Sequence, residues 1–126
     1  ALDHERDTKS AFKIAHKLLE KEGKITALHV QEQIPGYAEV HLPPDLVAKR
    51  HKEAEAELAN EIVDLPHVEP ALISGHSGRS IVDYARNHDI DCIIVASHRP
   101  GLQDYLLGST AARVVRHADC AVHVVR

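Results

Sequence analysis

A short segment near the carboxyl end of the chain carries residue types that bind phosphate. Gly108, Ser109 and Thr110 follow a loop and begin a predicted helix. The first amides of a helix have no partner within it, and the helix dipole favours an anion at that end. Earlier in the loop, His98 and Arg99 add a hydrogen-bonding ring and a cation that can bind phosphate oxygens. These residues predict an anion site.

An acidic residue at the other end of the chain can complete a nucleotide site. Asp3 ends a short apolar start, and acidic residues in other doubly wound proteins accept hydrogen bonds from ribose hydroxyls. Each group also has a simpler explanation, because Gly108 and Ser109 suit an ordinary helix cap and Asp3 suits the cap of the next helix. His98 and Arg99 can equally be an exposed loop pair. The residues alone therefore leave both a ligand site and a set of caps open.

Segments with strand and helix character alternate along the chain and position these residues. Strands are predicted at residues 25–30, 68–73, 91–96 and 121–125, and helices at about 7–22 and 44–64 and after Ser77 and Gly108. Such alternation is typical of an α/β fold in which right-handed crossovers join the parallel strands of a doubly wound sheet. Ligands of such sheets bind outside the carboxyl ends of the strands, where the candidate residues lie.

The amino-terminal end of the pattern is a helix rather than a strand, and the chain contains no Met. We therefore expect Ala1, Leu2 and Asp3 to be the carboxyl end of a truncated first strand. The length of 126 residues suits one core and not two, so residues 1–126 are predicted to form one domain.

The composition argues against several classes of protein. A net charge of −4 is unlike a protein that coats nucleic acid, and no apolar stretch is long enough to span a membrane, so a cytoplasmic protein is expected. The 11 histidines are scattered without metal-ligand spacing, and neither a catalytic triad nor a phosphate-loop Gly-Lys motif stands out. We expect Cys92 and Cys120 to lie close together at the amino ends of neighbouring strands and to stay reduced. No metal site or catalytic residue is predicted.

The last part of the chain resembles a known family signature. Residues 91–126, DCIIVASHRPGLQDYLLGSTAARVVRHADCAVHVVR, contain a strand, a glycine-bearing loop, a Gly-Ser helix start, a helix ending in His-Ala and a valine-rich last strand. This order is similar to the carboxyl-terminal signature of the universal stress protein family, and ASHRP…YLLGS is closest to its enterobacterial F/G-like branch. Asp3, the LHV of residues 28–30 and Gly75 fit the same pattern, so the resemblance covers nearly the whole chain.

The resemblance implies a Rossmann-like domain with a five-stranded parallel sheet in the order 3-2-1-4-5, helices on both faces, and binding of ATP with or without Mg²⁺. It places adenine and ribose at Ala1, Asp3 and the backbone of Val30. It places the phosphates at Ala96, His98, Arg99, Gly108, Ser109 and Thr110. ATP-binding members usually carry Gly-x-x-Gly, nine residues and Gly-Ser/Thr. Here Ala96 replaces the first glycine, Arg99 stands near the second and the loop is one residue shorter, as in the F/G-like branch, which is expected to keep the nucleotide.

Three functions follow from the resemblance. The first is an ATP-binding regulatory module of the stress response that has an unknown protein partner and is not an enzyme. The alternatives are a weak ATP hydrolase or phosphotransferase on the same scaffold, and a dimeric interaction module that has lost the nucleotide, which Ala96 favours. A homodimer through residues 121–125 is expected, because this apolar strand is predicted at a sheet edge, where unpaired backbone groups bind a second strand.

Overall fold

Helices and strands alternate as the sequence predicts in the computed structural model, which describes residues 8–33, 43–97 and 107–125. The helices are α1 (Thr8–Leu18), α2 (Pro44–Ile62), α3 (Ser77–Asn87) and α4 (Ser109–His117). The strands are β1 (Ile25–Glu32), β2 (Val68–Gly75), β3 (Cys92–Ala96) and β4 (Ala121–Val125). None of the helices in these ranges is both long enough and apolar enough to cross a bilayer. The predicted α/β class is confirmed.

The described strands form two parallel pairs. β1 pairs with β2, with Ile25 opposite Val68, and β3 pairs with β4, with Cys92 opposite Ala121. Because the predicted first strand precedes β1, the strands β1 to β4 correspond to strands 2 to 5 of the predicted order 3-2-1-4-5. Both pairs are neighbours in that order. Residues 1–7, where a truncated first strand is expected, lie outside the described residues. The count of five strands and the order 3-2-1-4-5 therefore stay predictions.

Two hydrophobic clusters lie on opposite sides of the strands. Ala27 of β1 packs in one cluster with side chains from α1 and α2, namely Phe12, Leu58 and Ile62. The next residue, Leu28, packs in the other cluster with residues of β1, β3, α3 and α4, namely Val30, Ile81, Val82, Ala85, Ile93, Val95, Ala111 and Val114. Because successive strand side chains point to opposite faces, α1 and α2 cover one face and α3 and α4 cover the other. Helices therefore lie on both faces, as predicted.

Two helix ends differ from the predictions. α1 ends at Leu18 rather than near residue 22. Gly23 instead closes a separate turn, in which its N–H donates to the Glu20 carbonyl at 3.0 Å. At the start of α3, Ser77 is the first helical residue and His76 occupies the cap position. The prediction that Ser77 caps this helix is therefore wrong.

Among the described residues, β3 and β4 are buried most fully on one face, although the continuous apolar run of β3 predicts burial on both. Ile93 and Val95 are buried, whereas the residues that alternate with them are half-buried. On β4, Val122 and Val124 pack against the cluster under α3 and α4, while His123 is exposed on the other face. One face of this strand pair therefore belongs to the core and the other lies nearer the surface.

Pro70 lies inside β2 without breaking the ladder to β1. The Ile25 N–H donates to the His67 carbonyl at 3.1 Å, so odd-numbered residues of β2 turn their backbone groups toward β1. The nitrogen of Pro70 therefore points away from β1, at the side of the strand where a proline removes no ladder hydrogen bond.

The two cysteines lie at the amino ends of β3 and β4, as predicted. Cys92 is opposite Ala121, which directly follows Cys120. Cys120 packs against the cluster under α3 and α4, whereas Cys92 alternates with the buried Ile93 and faces the other side. Burial raises the pKa of the Cys120 thiol, and the nearby Cys92 acts in the same direction. Both thiols are free, and side chains that point apart cannot be bridged without backbone movement.

Candidate functional site

The start of α4 lies at the carboxyl end of β3. Gly108 is the cap residue of α4, and its N–H donates to the Ser97 carbonyl at 2.6 Å. Ser97 directly follows β3, is 5% exposed, and donates its own N–H to the Val125 carbonyl of β4 at 2.8 Å. These two hydrogen bonds hold the ends of both strands beside the first turn of α4. The predicted site residues Ala96 and Gly108 are therefore brought close together at this edge.

The first turn of α4 has donors suited to an anion. Gly108, its cap residue, supplies no side-chain hydrogen bond, and its first turn contains no acidic residue. The first helical hydrogen bond runs from the Ala112 N–H to the Gly108 carbonyl at 2.8 Å. The three N–H groups between these residues therefore have no acceptor within the helix. Together with the helix dipole, they make this turn a favourable place for phosphate.

The start of α3 already holds a carboxylate. Glu32, the last residue of β1, accepts hydrogen bonds from the Ser77 hydroxyl at 2.5 Å and from the Ser77 N–H at 3.2 Å. The hydroxyl bond and then the N–H bond lower the pKa of Glu32, because both stabilise the ionised form. Glu32 is thus an internal anion at the start of α3. In its described surroundings, the start of α4 has no such group.

Two predicted nucleotide contacts turn their backbone groups away from the strand ladders. Ile25 bonds across to β2, so Val30, five residues later, points its N–H and C=O away from β2. The Asp91 carbonyl bonds across to β4, so Ala96 likewise points its backbone away from β4. The side chain of Val30 is buried. A ligand contact at Val30 would therefore use its backbone groups, and the predicted contact with adenine stays a prediction.

The structure describes part of the predicted site. Val30 and Ala96 lie in the carboxyl halves of β1 and β3, and Gly108, Ser109 and Thr110 form the start of α4. The ends of β3 and α4 are brought together directly by the Ser97 hydrogen bonds. The remaining predicted residues lie outside the described residues: Ala1, Asp3, His98 and Arg99. The ligand roles of all the predicted residues stay predictions.

Sequence reasoning missed Glu32 and Ser97. Glu32 binds a residue 45 positions away, so no local motif connects it with the helix that it caps. Ser97 is a buried polar residue whose backbone joins β4 to α4, and its importance depends on burial. The one signal available in the sequence is position, because both are polar residues at the carboxyl end of an apolar strand.

Polar groups at the opposite edge of the strands make structural contacts. Arg86 at the end of α3 binds Asp119 before β4, with Nη2 2.7 Å and Nε 2.8 Å from the same carboxylate oxygen. This carboxylate raises the pKa of Arg86. Among the residues that the structure describes, no three His, Cys, Asp or Glu side chains gather into a group that could hold a metal ion.

Comparison with known sequences identifies one family over the whole chain. Residues 1–126 match the sequence profile described as the universal stress protein family. Universal stress protein G of Salmonella typhimurium is 33% identical in an alignment that covers 92% of this chain and 87% of that protein. Universal stress protein G of Shigella flexneri is 29% identical over the same shares of both chains.

Comparison with solved structures identifies the same fold. Universal stress protein UspA from Lactobacillus plantarum superposes with a TM-score of 0.68 at 26% identity, covering 94% of this chain and 86% of that one. The hypothetical protein PH0823 superposes with a TM-score of 0.76 at 24% identity, covering 98% of this chain and 90% of that one.

Proposed function

The chain belongs to the universal stress protein family, and from this premise we propose that it is an ATP-binding regulatory module. ATP, with or without Mg²⁺, binds outside the carboxyl ends of the strands, as ligands do in open α/β sheets. The phosphates lie over the first turn of α4, the adenine lies against the backbone of Val30, and the ribose lies near Asp3. Nucleotide occupancy then changes how the protein binds a protein partner in the cytoplasm.

The observation that carries this proposal is the first turn of α4. Gly108 is held at the end of β3 by a 2.6 Å hydrogen bond to the Ser97 carbonyl, so the uncapped N–H groups after it point out of the carboxyl edge. A second helix start at this edge, that of α3, is already bonded to Glu32. A phosphate is therefore favoured at α4, where free donors and a favourable dipole coincide.

Binding rather than turnover is proposed because of the groups that this part of the site offers. Backbone N–H groups and the hydroxyls of Ser109 and Thr110 suit an anion in its ground state. The carboxylate described at this edge, Glu32, is occupied by Ser77 and is held in its ionised form. A group already bonded in this way is poorly placed to activate a water molecule.

Isothermal titration calorimetry of the full chain with ATP and ADP tests the proposal. We expect ATP to bind and to be recovered unchanged after incubation. Recovery of ADP as the main product supports the hydrolase alternative. Absence of heat at millimolar ATP contradicts nucleotide binding and favours the interaction module.

A substitution at Gly108 tests the position of the phosphates. The φ of Gly108 is −56°, which any residue adopts, so Gly108→Val does not strain the backbone. The branched side chain would occupy the space that a phosphate needs, and we expect ATP binding to be lost while the thermal unfolding midpoint stays close to that of the parent. Gly108→Ala is the matched control, with a smaller loss. Unchanged binding in Gly108→Val contradicts the placement.

A further inference from the structure

α4 carries a basic face next to its first turn. Ser109 lies on the same side of the helix as three cationic or titratable residues one and two turns later, because residues three and four apart share a face. With one alanine, these side chains surround a surface cavity of about 190 Å³, lined by Ser109, Ala112, Arg113, Arg116 and His117. None of these five residues is acidic, and neither is any residue in the first turn of α4.

Arg113 differs from the other cations of this face because a glycine of α3 positions its stem. Gly78 is buried, and a Cβ atom built there would lie 2.9 Å from Cδ and 3.0 Å from Cβ of Arg113. The Arg113 stem therefore occupies space that a side chain at residue 78 would need. Because Gly78 has no side chain, the Arg113 stem can lie against α3. This close packing restricts the orientation of the arginine.

The guanidinium of Arg113 has no acceptor among the described residues. Two other arginines bind carboxylates, since Arg79 Nε lies 3.4 Å from Asp83 and Arg86 Nη2 lies 2.7 Å from Asp119. An arginine with a restricted stem and no counter-ion in the described part of the chain is well suited to an anionic ligand, because little side-chain entropy remains to be lost on binding.

The direction of Arg113 relates it to the first turn of α4. Arg113 follows Ser109 by four residues, about 6 Å along the helix axis at 1.5 Å per residue. Helical side chains lean toward the amino end, and Arg113 lines the same cavity as Ser109, so its guanidinium can reach the first turn. A phosphate chain that begins over Gly108 and Ser109 would meet this guanidinium at its far end.

We propose that Arg113 binds the terminal phosphate of the nucleotide and sets a preference for a triphosphate over a monophosphate. This inference rests on the proposed function, since it assigns a further residue to the same site. A guanidinium binds phosphate oxygens with two parallel hydrogen bonds, and it is attracted most strongly by the highly charged end of a triphosphate. AMP, whose single phosphate remains near the ribose, does not reach it.

Calorimetry with ATP and AMP on Arg113→Gln tests the assignment. We expect the dissociation constant for ATP to rise about 10- to 100-fold, because one or two charge-assisted hydrogen bonds are lost. The dissociation constant for AMP should change little. Arg116→Gln is the matched control, because it removes the same charge from the same face nearly one turn further from the helix start. Its effect on ATP should be much smaller.

Gly78→Ala tests the position of the Arg113 side chain without removing any charge. This variant keeps every cation but displaces the Arg113 stem, and we expect it to weaken ATP binding while AMP binding is kept. Circular dichroism shows whether it folds, and if it does not, the two arginine variants still decide. Equal losses in Arg113→Gln and Arg116→Gln, or no loss in Arg113→Gln, overturn the role of Arg113 while ATP binding stands. Absence of ATP binding by the parent protein overturns the proposed function itself.

Discussion

Single residues at the carboxyl edge decide which helix start is open to a ligand. Glu32 reaches from the end of β1 to Ser77 and supplies the acceptor that the cap residue His76 does not. At α4 the cap residue Gly108 supplies no side-chain acceptor either, and no carboxylate among the described residues takes its place. The two helices begin at the same edge, so of the two the start of α4 is the more favourable place for an anion.

The first prediction at this scale concerns Glu32 and stability. Glu32→Ala should lower the free energy of unfolding at pH 7 by about 1 kcal/mol, as removal of a helix cap does. The folded-state pKa of Glu32 is lowered. Its contribution is therefore full above the unfolded pKa of about 4.3 and is lost as the pH falls through the folded pKa. Urea unfolding of parent and variant between pH 7 and pH 3 measures this difference.

A matched glutamate provides the control for Glu32. Glu53 is exposed on α2 and pairs only with Lys49 among the described residues, at 3.7 Å and one helical turn away. Glu53→Ala should change the free energy of unfolding by less than about 0.5 kcal/mol. A Glu32→Ala variant that matches Glu53→Ala at every pH would contradict the capping role.

The site residues that the sequence predicts are those whose chemistry is local. Gly108, Ser109 and Thr110 combine a glycine, two small hydroxyl residues and a helix start in one stretch, and the structure places them at the predicted edge. Glu32 and Arg113 contact residues on other elements, Ser77 and Gly78, and no local pattern in the sequence relates these pairs. Sequence reasoning reaches such pairs only once the packing of the helices is known.

At the scale of elements, His16 ties α1 to the segment that leads into β2. Its Nδ1 lies 2.8 Å from the Phe12 carbonyl and its Nε2 lies 3.0 Å from the Pro66 carbonyl. Carbonyls accept and do not donate, so both bonds form only when both ring nitrogens carry protons. The hydrogen bond to the Pro66 carbonyl has the larger effect and that to the Phe12 carbonyl the smaller one, and both raise the pKa of His16. The two hydrogen bonds that connect α1 to Pro66 through His16 are therefore strongest when the ring is a charged imidazolium.

The second prediction follows from this protonation. Because the folded-state pKa of His16 is raised, its contribution is full below the unfolded pKa of about 6.5 and is lost as the pH rises through the folded pKa. The stability difference between the parent and His16→Asn should therefore be larger at pH 5.5 than at pH 9 in urea unfolding. His16 lines a surface groove, and the charged side chains around this groove remain in both proteins: Lys9, Lys13, Lys17, Glu61 and Asp64.

His88→Asn is the control for His16. The ring of His88 bonds a single carbonyl, that of Tyr84, at 2.9 Å. A neutral ring can make this one bond, so the variant should change stability with a weaker dependence on pH. A difference between the parent and His16→Asn that stays constant from pH 5.5 to 9 would rule out the protonated tie.

The order of elements follows from the sequence more reliably than their ends. Alternating patterns predict all eight described elements, because apolar periodicity records which face is buried. The predicted end of α1, near residue 22, is wrong because Gly23 belongs to a turn after the helix rather than to its cap. Burial of β3 on one face depends on which helices cover the strand pair, and the apolar run itself carries no information about this.

At the scale of the whole molecule, β4 offers backbone groups along its outer side. The Ala121 N–H donates to the Asp91 carbonyl, and the Val125 carbonyl accepts from Ser97, so these residues face β3. By alternation, the N–H and C=O groups of Val122 and Val124 point away from β3. Their side chains pack against the core. A second copy would therefore pair with the backbone of β4 and meet its exposed face.

The third prediction is that the protein forms a homodimer through β4. Two copies paired antiparallel about a two-fold axis cover both edges symmetrically. His123 is the central residue of β4 and is exposed, so each copy places it next to the axis. His123→Lys should then bring two like charges opposite each other and raise the dimer dissociation constant about 5-fold, for a cost of about 1 kcal/mol.

Sedimentation equilibrium of the parent and of two lysine variants measures this effect. Lysine at Val122 or Val124 is unsuitable, because those side chains pack inside the domain and a charge there would unfold it rather than separate the copies. Asn87→Lys is the matched control, since residue 87 is exposed at the end of α3 and gains the same charge. If His123→Lys and Asn87→Lys leave the dissociation constant equally unchanged, the copies associate through another surface. If the parent sediments as a monomer at micromolar concentration, the dimer prediction is wrong, and the backbone groups of Val122 and Val124 bind water instead of a second strand.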